Sequence, residues 1–293
     1  MPAPPLRTQR GVPSTASVGR IGTLSLEYTR QNGRTVFGRT SCQTPWHLLP
    51  PIYLDDTGSA YTLLVNPSGG LVGGDQLSID LSVGPNAHVL ISSPSANRVY
   101  RTLAEPSVQE ILVHVGAEAI LEWAPEHTIP FAGSRFRQTI DVTLSAGATV
   151  LLWDAVASGR IARGERWAFA SLDNDIRIRT SSGAAVREHI ALDLTGIGQG
   201  VGWAAEWDYV ASLFIVGEDV ERSKWEQLEA ALAEILAQHH GPVMGGVSQP
   251  AVPGLVVKLV AKSAPAMTDV MHALWGSARR VLWNLPPAAL RKY

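Results

Sequence analysis

Five acidic residues in or beside strand-like segments are the candidates for chemistry in this sequence of 293 residues. Glu122 and Asp154 directly follow apolar runs, in AILEW and LLWD. A carboxylate beside a buried strand end is costly unless it is paired, hydrated or bound to a cation. A local arginine is the simplest partner, as Arg160 or Arg163 would be for Glu165. The five candidates are Asp75, Glu122, Asp154, Glu165 and Glu188.

Four glycines precede the first of these carboxylates, in the segment NPSGGLVGGDQLSIDLS at 66–82. A glycine loop that binds a nucleotide leads into a helix whose N-terminus holds the phosphate. This loop leads instead into 75–83, where apolar residues alternate with polar ones, and that pattern predicts a strand. We therefore exclude a nucleotide site and expect the glycines to allow positive φ angles or a close backbone approach. They are Gly69, Gly70, Gly73 and Gly74, and Asp75 then caps the turn.

Other reactive side chains and targeting signals are few. Cys42 is the single cysteine, so no internal disulfide can form, which fits a reducing compartment. The eight histidines show no compact metal-binding spacing. No segment approaches the roughly 20 apolar residues that span a bilayer, and the first residues do not resemble a signal peptide. We predict a soluble, cytoplasmic protein without a membrane segment.

Three segments of similar pattern recur along the chain: NAHVLISSP, GAEAILEWAP and GATVLLWDA. Their marker alanines, Ala87, Ala117 and Ala148, are spaced by 30 and 31 residues, and each segment follows an alternating strand and a short turn. A weaker fourth copy lies at 175–192. Strand pairs at a fixed period are typical of stacked β layers, because one unit cannot bury its own apolar face. The repeat predicts a mainly β fold of stacked sheets in a β-solenoid-like arrangement, with an ordinary sandwich as the alternative.

Two helices are predicted in the C-terminal region, at 218–239 and 268–284, from apolar residues that recur at helical spacing. Thr268 is the expected N-cap of the second helix. Residues 1–17 are rich in Pro, Ser and Thr and are expected to form a flexible tail. The remainder, 18–293, is expected to be a single domain.

Basic residues recur in three further segments, ANRVYRT (96–102), GSRFRQT (133–139) and SGRIARGERW (158–167). We interpret most of these arginines as members of solvated strand faces. The formal net charge of −2 gives no broad basic field, so the composition argues against a nucleic-acid partner.

Four ordered motifs resemble the urease accessory protein UreD family, which is called UreH in some bacteria. They are NPSGGLVGGDQL, SANRVYR, LEWAPEHTIPFAGSRFRQ and WDAVASGRIARGE, and the resemblance runs from about residue 20 to the C-terminus. The chain departs from the family at its end. It closes on LPPAALRKY, where the family often closes on a sequence like Pro-Arg-Ile-Trp.

The resemblance implies a protein that is not an enzyme. It implies binding to apo-urease and, together with UreF and the GTPase UreG, delivery of nickel to the urease active site. The implied fold is a helical stack of β-sheets with two helices and a channel lined in part by acidic groups. No tightly bound cofactor is implied, only nickel in transit.

The resemblance implies that particular residues of this chain bind nickel transiently along its path. Asp75, Asp154 and Glu188 match the motif positions, and the strand positions add Glu122 and Glu165 as weaker candidates. The assignment of Glu188 from the family motif is the least direct, because this chain has Val-Arg-Glu where relatives often have Val-Glu-Arg. A shift of one residue would move that side chain to the other face of a strand.

Two other functions fit the same residues. A carbohydrate-active β-helical enzyme would use a pair of carboxylates around the scissile bond, but many such enzymes are secreted and this sequence begins without a signal peptide. A pure interaction platform would bind its partners without touching metal, and it would tolerate the loss of the acidic residues.

Overall fold

The computed structural model describes residues 19–195, 206–288 and 290, so the tail predicted at 1–17 lies outside the described residues. The described chain is mainly β, with two helices and about four stacked coils, which confirms the predicted fold class. The strands are β1 (Ile21–Gln31), β2 (Arg34–Cys42), β3 (Ala60–Leu63), β4 (Gln76–Val83), β5 (His88–Ser92), β6 (Asn97–Val99), β7 (Ser107–Val115), β8 (Ile120–Trp123), β9 (Thr128–Pro130), β10 (Arg135–Leu144), β11 (Thr149–Ala157), β12 (Ser171–Arg179), β13 (Ala185–Asp193), β14 (Tyr209–Gly217), β15 (Val243–Ser248) and β16 (Gly254–Ala261). The helices are α1 (Arg222–Gln238) and α2 (Ala264–Trp283).

Two sheets face each other across one core. The first sheet has the strand order β13-β12-β10-β7-β4-β1-β2. The second has the order β15-β16-β14-β11-β8-β5-β3, with β6 and β9 beside it. Each coil adds one strand to each sheet, so β4, β7, β10 and β12 are parallel neighbours in the first sheet. In the second sheet β5, β8 and β11 are parallel neighbours in the same way.

A column of isoleucines marks the register of the first sheet. Ile79, Ile111, Ile140 and Ile176 are aligned on four successive parallel strands, and all four are buried. Because successive side chains of a strand point to opposite faces, alternate residues fill the space between the sheets. Burial of this apolar surface stabilises the stack by about 25 cal/mol for each Å² removed from water.

The structure corrects one marker residue of the repeat. Ala119, not Ala117, is the residue equivalent to Ala87 and Ala148. The amide of Ile120 donates to the carbonyl of Ala87, and the amide of Thr149 donates to the carbonyl of Ala119, both at 2.9 Å. The three equivalent alanines are buried, whereas Ala117 is exposed. Ala117 belongs to the turn before the strand, where Glu118 adopts a φ of 56°. The spacing in sequence had therefore aligned a turn residue with strand residues.

The weaker fourth copy continues only one of the two sheets. Strand β12 adds to the first sheet in parallel, but β13 returns antiparallel beside it. The second sheet is instead extended by β14, which runs antiparallel to β11. The regular coil ends here, and antiparallel strands complete both sheets.

The second sheet has apolar residues on both faces. On β11, Val150 and Leu152 pack between the sheets, while Leu151 and Trp153 pack beneath the helices. A strand that is buried on both faces has a continuous apolar run rather than an alternating one. A step of one residue along β11 therefore moves a side chain from one core to the other.

Helix α2 begins four residues earlier than the sequence predicted. Its N-cap is Ser263 rather than Thr268, and the Ser263 side chain accepts a hydrogen bond from the amide of Ala266 at 3.3 Å. Pro265 follows in the first turn, where its missing N–H would have had no partner within the helix. Neither α1 nor α2 is long and apolar enough to cross a membrane, and no other helix in the described ranges is.

The glycine loop requires glycine for two different reasons. Gly74 has a φ of 86°, in the left-handed region that side chains disfavour. Gly73 has no positive φ, but a Cβ there would lie 3.0 Å from the carbonyl oxygen of Glu105. At Gly70 a Cβ would lie 2.5 Å from the carbonyl oxygen of Arg98. The loop therefore packs directly against the next coil.

We predict that Gly74→Val lowers the free energy of unfolding by roughly 1–3 kcal/mol, because a β-branched residue is strained at positive φ. Gly246→Val is the matched control. Gly246 lies in β15 without a positive φ, and no atom lies within 4 Å of a Cβ built there. Urea unfolding of both variants measures the difference, and equal stability of the two would contradict the requirement for glycine at position 74.

Candidate functional site

The structure does not bring the five predicted carboxylates together. Within residues 19–195, 206–288 and 290, no group of three or more His, Cys, Asp or Glu residues is arranged to hold a metal ion. Each carboxylate has its own surroundings, and only Asp154 and Glu188 share a neighbour among the described residues: Ser212 is aligned with Asp154 on the adjacent strand and donates to Glu188. The five carboxylates therefore do not form one site.

A cavity of about 120 Å³ lies between the two sheets at the edge of the core. Asp154, Gln138 and Trp123 form part of its inner wall, and Gly69 and Arg98 form part of its rim. Gly69 and Arg98 are exposed, so the cavity opens at the surface beside the glycine loop. Asp154 is accessible from the cavity although the protein surrounds it on its other sides.

Asp154 is held by two amide side chains. Gln138 Nε2 donates to Asp154 Oδ1 at 3.0 Å, and Asn174 Nδ2 donates to Oδ2 at 2.8 Å. Gln138 also donates to Asn174 Oδ1 at 3.0 Å, which fixes both amides. Burial raises the pKa of the Asp154 carboxyl, and the two hydrogen bonds and the charge of Lys258 only partly offset this. No ion pair involves Asp154 in the described chain.

Glu188 faces inward from β13 and reaches the second sheet. Ser212 Oγ donates to Glu188 Oε1 at 2.9 Å, and Lys258 forms an ion pair with the same carboxylate. The neighbouring Arg187 points outward and pairs with Asp175 at 2.7 Å. Glu188 is 8% exposed. In the order Val-Arg-Glu, it is therefore the glutamate that lies on the inner face.

A row of polar residues crosses the inner face of the second sheet. Asp154, Ser212 and Lys258 are aligned on β11, β14 and β16, and Lys258 Nζ donates to Ser212 Oγ at 3.1 Å. Burial lowers the pKa of the Lys258 amine, and the charge of Asp154 opposes that shift. Ser212 and Lys258 also line a second, more open pocket of about 410 Å³, together with Ile190 and Met244. The polar row thus lies between the cavity and this pocket.

Asp75 has a different environment from Asp154. Its carboxylate accepts hydrogen bonds from the backbone amides of Val72 and Arg20, both at 2.9 Å. The side chain is buried and is not part of the cavity wall. These bonds hold the glycine loop against the first strand, which is the geometry of a carboxylate that caps a turn.

Glu122 lies on the opposite face of the second sheet, beneath α2. It is fully buried and accepts hydrogen bonds from His88 Nε2 at 2.6 Å, from Trp275 Nε1 at 2.5 Å and from Arg279 Nη1 at 2.5 Å. Burial alone would raise the pKa of Glu122, but the hydrogen bond and charge of His88 and the charge of Arg279 outweigh it and lower that pKa. Arg279 is itself 1% exposed and also lies 3.6 Å from Asp55.

Glu165 forms the local pair that the sequence suggested. Arg160 Nε donates to Glu165 Oε2 at 2.7 Å, a second bond joins the same two side chains, and the amide of Ala132 donates to Oε2 at 3.1 Å. The hydrogen bond from Arg160 lowers the pKa of Glu165, against a small effect of burial. Its charge is already neutralised.

Sequence reasoning missed the partners that decide these roles. Gln138, Asn174, Ser212 and Lys258 were not candidates, although each interrupts an apolar or alternating strand with a polar residue at an inward position. Arg279 was also missed. It stands on the helical face of α2 that carries apolar residues, and a buried arginine there signals a buried acidic partner.

We predict that Glu122→Ala lowers the free energy of unfolding by about 3–5 kcal/mol, because it leaves the buried guanidinium of Arg279 without its main partner. Glu27→Ala is the control. It removes an exposed pair in which Arg39 is 95% exposed, and such pairs contribute about 1 kcal/mol or less. Urea unfolding at neutral pH tests both, and equal effects would show that Arg279 does not depend on Glu122.

The effect of Glu122→Ala should also depend on pH. Because the folded protein lowers the pKa of Glu122, its stabilisation is present above the ordinary glutamate value of 4.5 and is lost as the pH falls through the lower, folded value. The difference in unfolding free energy between wild type and variant should therefore shrink on acidification. A difference that stays constant down to strongly acidic pH would contradict this assignment.

Comparisons with known proteins identify the family of this chain. The family model for the UreD urease accessory protein matches residues 20–292. A urease accessory protein UreD from Deinococcus radiodurans is 32% identical over 280 residues, which cover 93% of this chain and 95% of that protein. UreD from Albidiferax ferrireducens is 30% identical over 264 residues, covering 89% and 94%. UreD 2 from Streptomyces griseus subsp. griseus is 30% identical over 295 residues, covering 96% and 98%. The chain belongs to the UreD family of urease accessory proteins.

Proposed function

We propose that this chain is a urease maturation scaffold that binds apo-urease together with UreF and UreG and helps nickel to reach the urease active site. Its family gives it a role in urease maturation, and the named relatives are accessory proteins rather than enzymes. The observation that carries the proposal is the environment of Asp154. Of the five candidate carboxylates, it is the one that lines a cavity and has no cationic partner in contact within the described residues.

The other candidates are less available to a passing cation. Glu122 and Glu165 are neutralised by arginines, and Asp75 is occupied by two backbone amides. Glu188 is paired with Lys258. The Lys258 side chain is 51% exposed, so a divalent cation could displace its ammonium group from the carboxylate of Glu188. Asp154 and Glu188 are thus the two residues that we propose for the nickel path.

The oxygen ligands that Asp154, Ser212 and Glu188 offer suit the transit of nickel rather than its storage. Carboxylate and hydroxyl oxygens bind Ni²⁺ less tightly than histidine or thiolate ligands do, so release onward is fast. The side chains of Gln138 and Asn174 hold Asp154 without cancelling its charge. This supports a conduit in which the protein supplies charge along a route and the final ligands belong to urease.

We predict that Asp154→Asn lowers the nickel content of activated urease while the complex with UreF and apo-urease still forms. Burial disfavours the charged form of Asp154, so removing the charge should leave the melting temperature nearly unchanged, apart from one altered hydrogen bond worth about 1 kcal/mol. Asp80→Asn is the matched control, because Asp80 is exposed on β4. The measurement is nickel per urease active site, with thermal melts and pull-downs alongside.

Normal nickel content with Asp154→Asn and with Glu188→Gln would remove the conduit. The pure interaction platform would then be the better description, since it requires only complex formation. Loss of the complex itself in Asp154→Asn, with an unchanged melting temperature, would point to a binding role for this residue instead.

Nickel transfer should also depend on pH in a way that Asp154 determines. Burial raises the pKa of Asp154 above its ordinary value of 3.8, so this carboxyl becomes protonated at a higher pH than an exposed one. Transfer by the wild-type chain should therefore begin to fall at a higher pH than an exposed aspartate would give, and the residual transfer by Asp154→Asn should change less on the same acidification. Parallel pH profiles would argue against Asp154 as the titrating group.

A further inference from the structure

The corners of the coils carry a ladder of stacked side chains beside the cavity. Gly70 lies directly under the ring of Tyr100, so that a Cβ at Gly70 would approach that ring to 2.7 Å. The Tyr100 and Phe131 rings pack edge to face with centroids 4.9 Å apart. The guanidinium of Arg160 lies 4.2 Å from the centroid of Phe131. One residue from each successive coil thus builds a rigid wall at this corner.

Exposed apolar and basic residues flank this ladder. Leu103 is 91% exposed, and Val72 and Tyr100 are 39% and 37% exposed. Arg98 and Arg101 are exposed, and neither forms an ion pair with any residue that the structure describes. We call these five residues the corner patch.

Three of the other arginines in the basic segments form ion pairs, whereas Arg135 and Arg163, like Arg98 and Arg101, form none among the described residues. Arg160 pairs with Glu165, Arg166 pairs with Asp208 at 2.6 Å, and Arg137 lies 3.4 Å from Asp173. Those arginines fit the interpretation of solvated, paired faces. Arg98 and Arg101 instead hold uncompensated positive charge next to exposed apolar side chains, on a chain whose formal net charge is −2.

We propose that the corner patch is a docking surface for an acidic segment of a partner protein that also carries an apolar side chain. Unpaired arginines beside aromatic and leucine side chains are the residue types that dominate protein interfaces. Charge complementarity selects a carboxylate-bearing partner, and Leu103 offers an apolar anchor that an ion or a nucleic-acid backbone would not use. Two arginines on an acidic chain are too few for a nucleic-acid footprint.

The position of the patch gives this contact a further consequence. Arg98 belongs both to the patch and to the rim of the cavity. An unpaired guanidinium at the rim repels an approaching divalent cation. Carboxylates of a docked partner would neutralise Arg98 and remove that repulsion. The cavity, whose wall also includes the carboxylate of Glu126, therefore becomes more favourable for a cation when the acidic partner is in place, and this part of the inference rests on the proposed function.

The test uses the full chain with UreF, UreG and apo-urease, each added separately and then together. The variants are the double charge reversal Arg98→Glu with Arg101→Glu, and Leu103→Asp. Their matched controls are Arg39→Glu, at a side chain that is 95% exposed, and Leu112→Asp, at a residue that is 56% exposed on the outer face of β7. A photocrosslinker at position 103 identifies the partner segment, and anionic vesicles and duplex DNA are tested in parallel.

We expect the double reversal and Leu103→Asp each to weaken binding to one partner protein by about ten-fold or more, with both controls at wild-type affinity. The crosslinked segment should contain Asp or Glu, and changing those residues to Lys should restore binding to the double reversal. If both patch variants bind all three proteins with wild-type affinity, this inference alone is overturned. The same holds if the patch variants lose binding to vesicles or DNA but keep their binding to the three proteins. A wild-type chain that binds none of the three proteins overturns the proposed function and this inference together.

Discussion

The register between the parallel strands is the constraint on which the rest of this structure depends. Backbone hydrogen bonds tie each coil to the next, and successive side chains of each strand face opposite sides of the sheet. In β11, a slip of one residue would move Asp154 beneath the helices and bring Trp153 between the sheets. The buried isoleucine column on the facing sheet opposes such a slip, since apolar burial holds each coil in place. Every polar contact in the core therefore depends on this packing.

Two carboxylates on one sheet, the buried Glu122 and the partly buried Asp154, illustrate how surroundings decide a role. Glu122 faces α2 and accepts bonds from an imidazole, an indole and a guanidinium, so its pKa is lowered and its charge is fixed in place. Asp154 faces the other way and accepts bonds from two neutral amides, so burial raises its pKa. The first arrangement orients a helix on a sheet. The second leaves a charge that can respond to a proton or a cation.

The end of the coil is where the polar groups of the two sheets meet. Once the parallel repeat stops, β13 and β14 add antiparallel strands, and an acidic residue of the first sheet reaches a lysine of the second. The cavity begins at the coil corners, and the more open pocket lies at the antiparallel end. The corner loops vary in length and carry exposed residues, whereas the strands between them are fixed by stacking. The exposed side chains of the corners and the internal polar row thereby lie on different parts of one repeating unit.

Sequence alone determined the class of the fold and the nature of the glycine loop. Alternating strands at a fixed period indicate stacked sheets, because a single layer cannot bury its apolar face. A glycine loop that leads into a strand cannot place a phosphate at a helix N-terminus. The same reasoning correctly expected Glu165 to have a partner nearby in the chain, since residues only five positions apart can pair without any knowledge of the fold.

Which carboxylates are neutralised and which remain available depends on contacts that form on folding. The partner of Glu122 lies 157 residues away in α2, and the partners of Asp154 come from strands of the other sheet. Sequence alternation shows which residues share a face, but not which face is the core or what packs against it. The alignment of Ala117 with strand residues failed for a related reason, because spacing cannot separate a turn residue from a strand residue two positions later. Contacts between distant segments are created by folding, so the charge state and accessibility of each candidate residue were decided at that level.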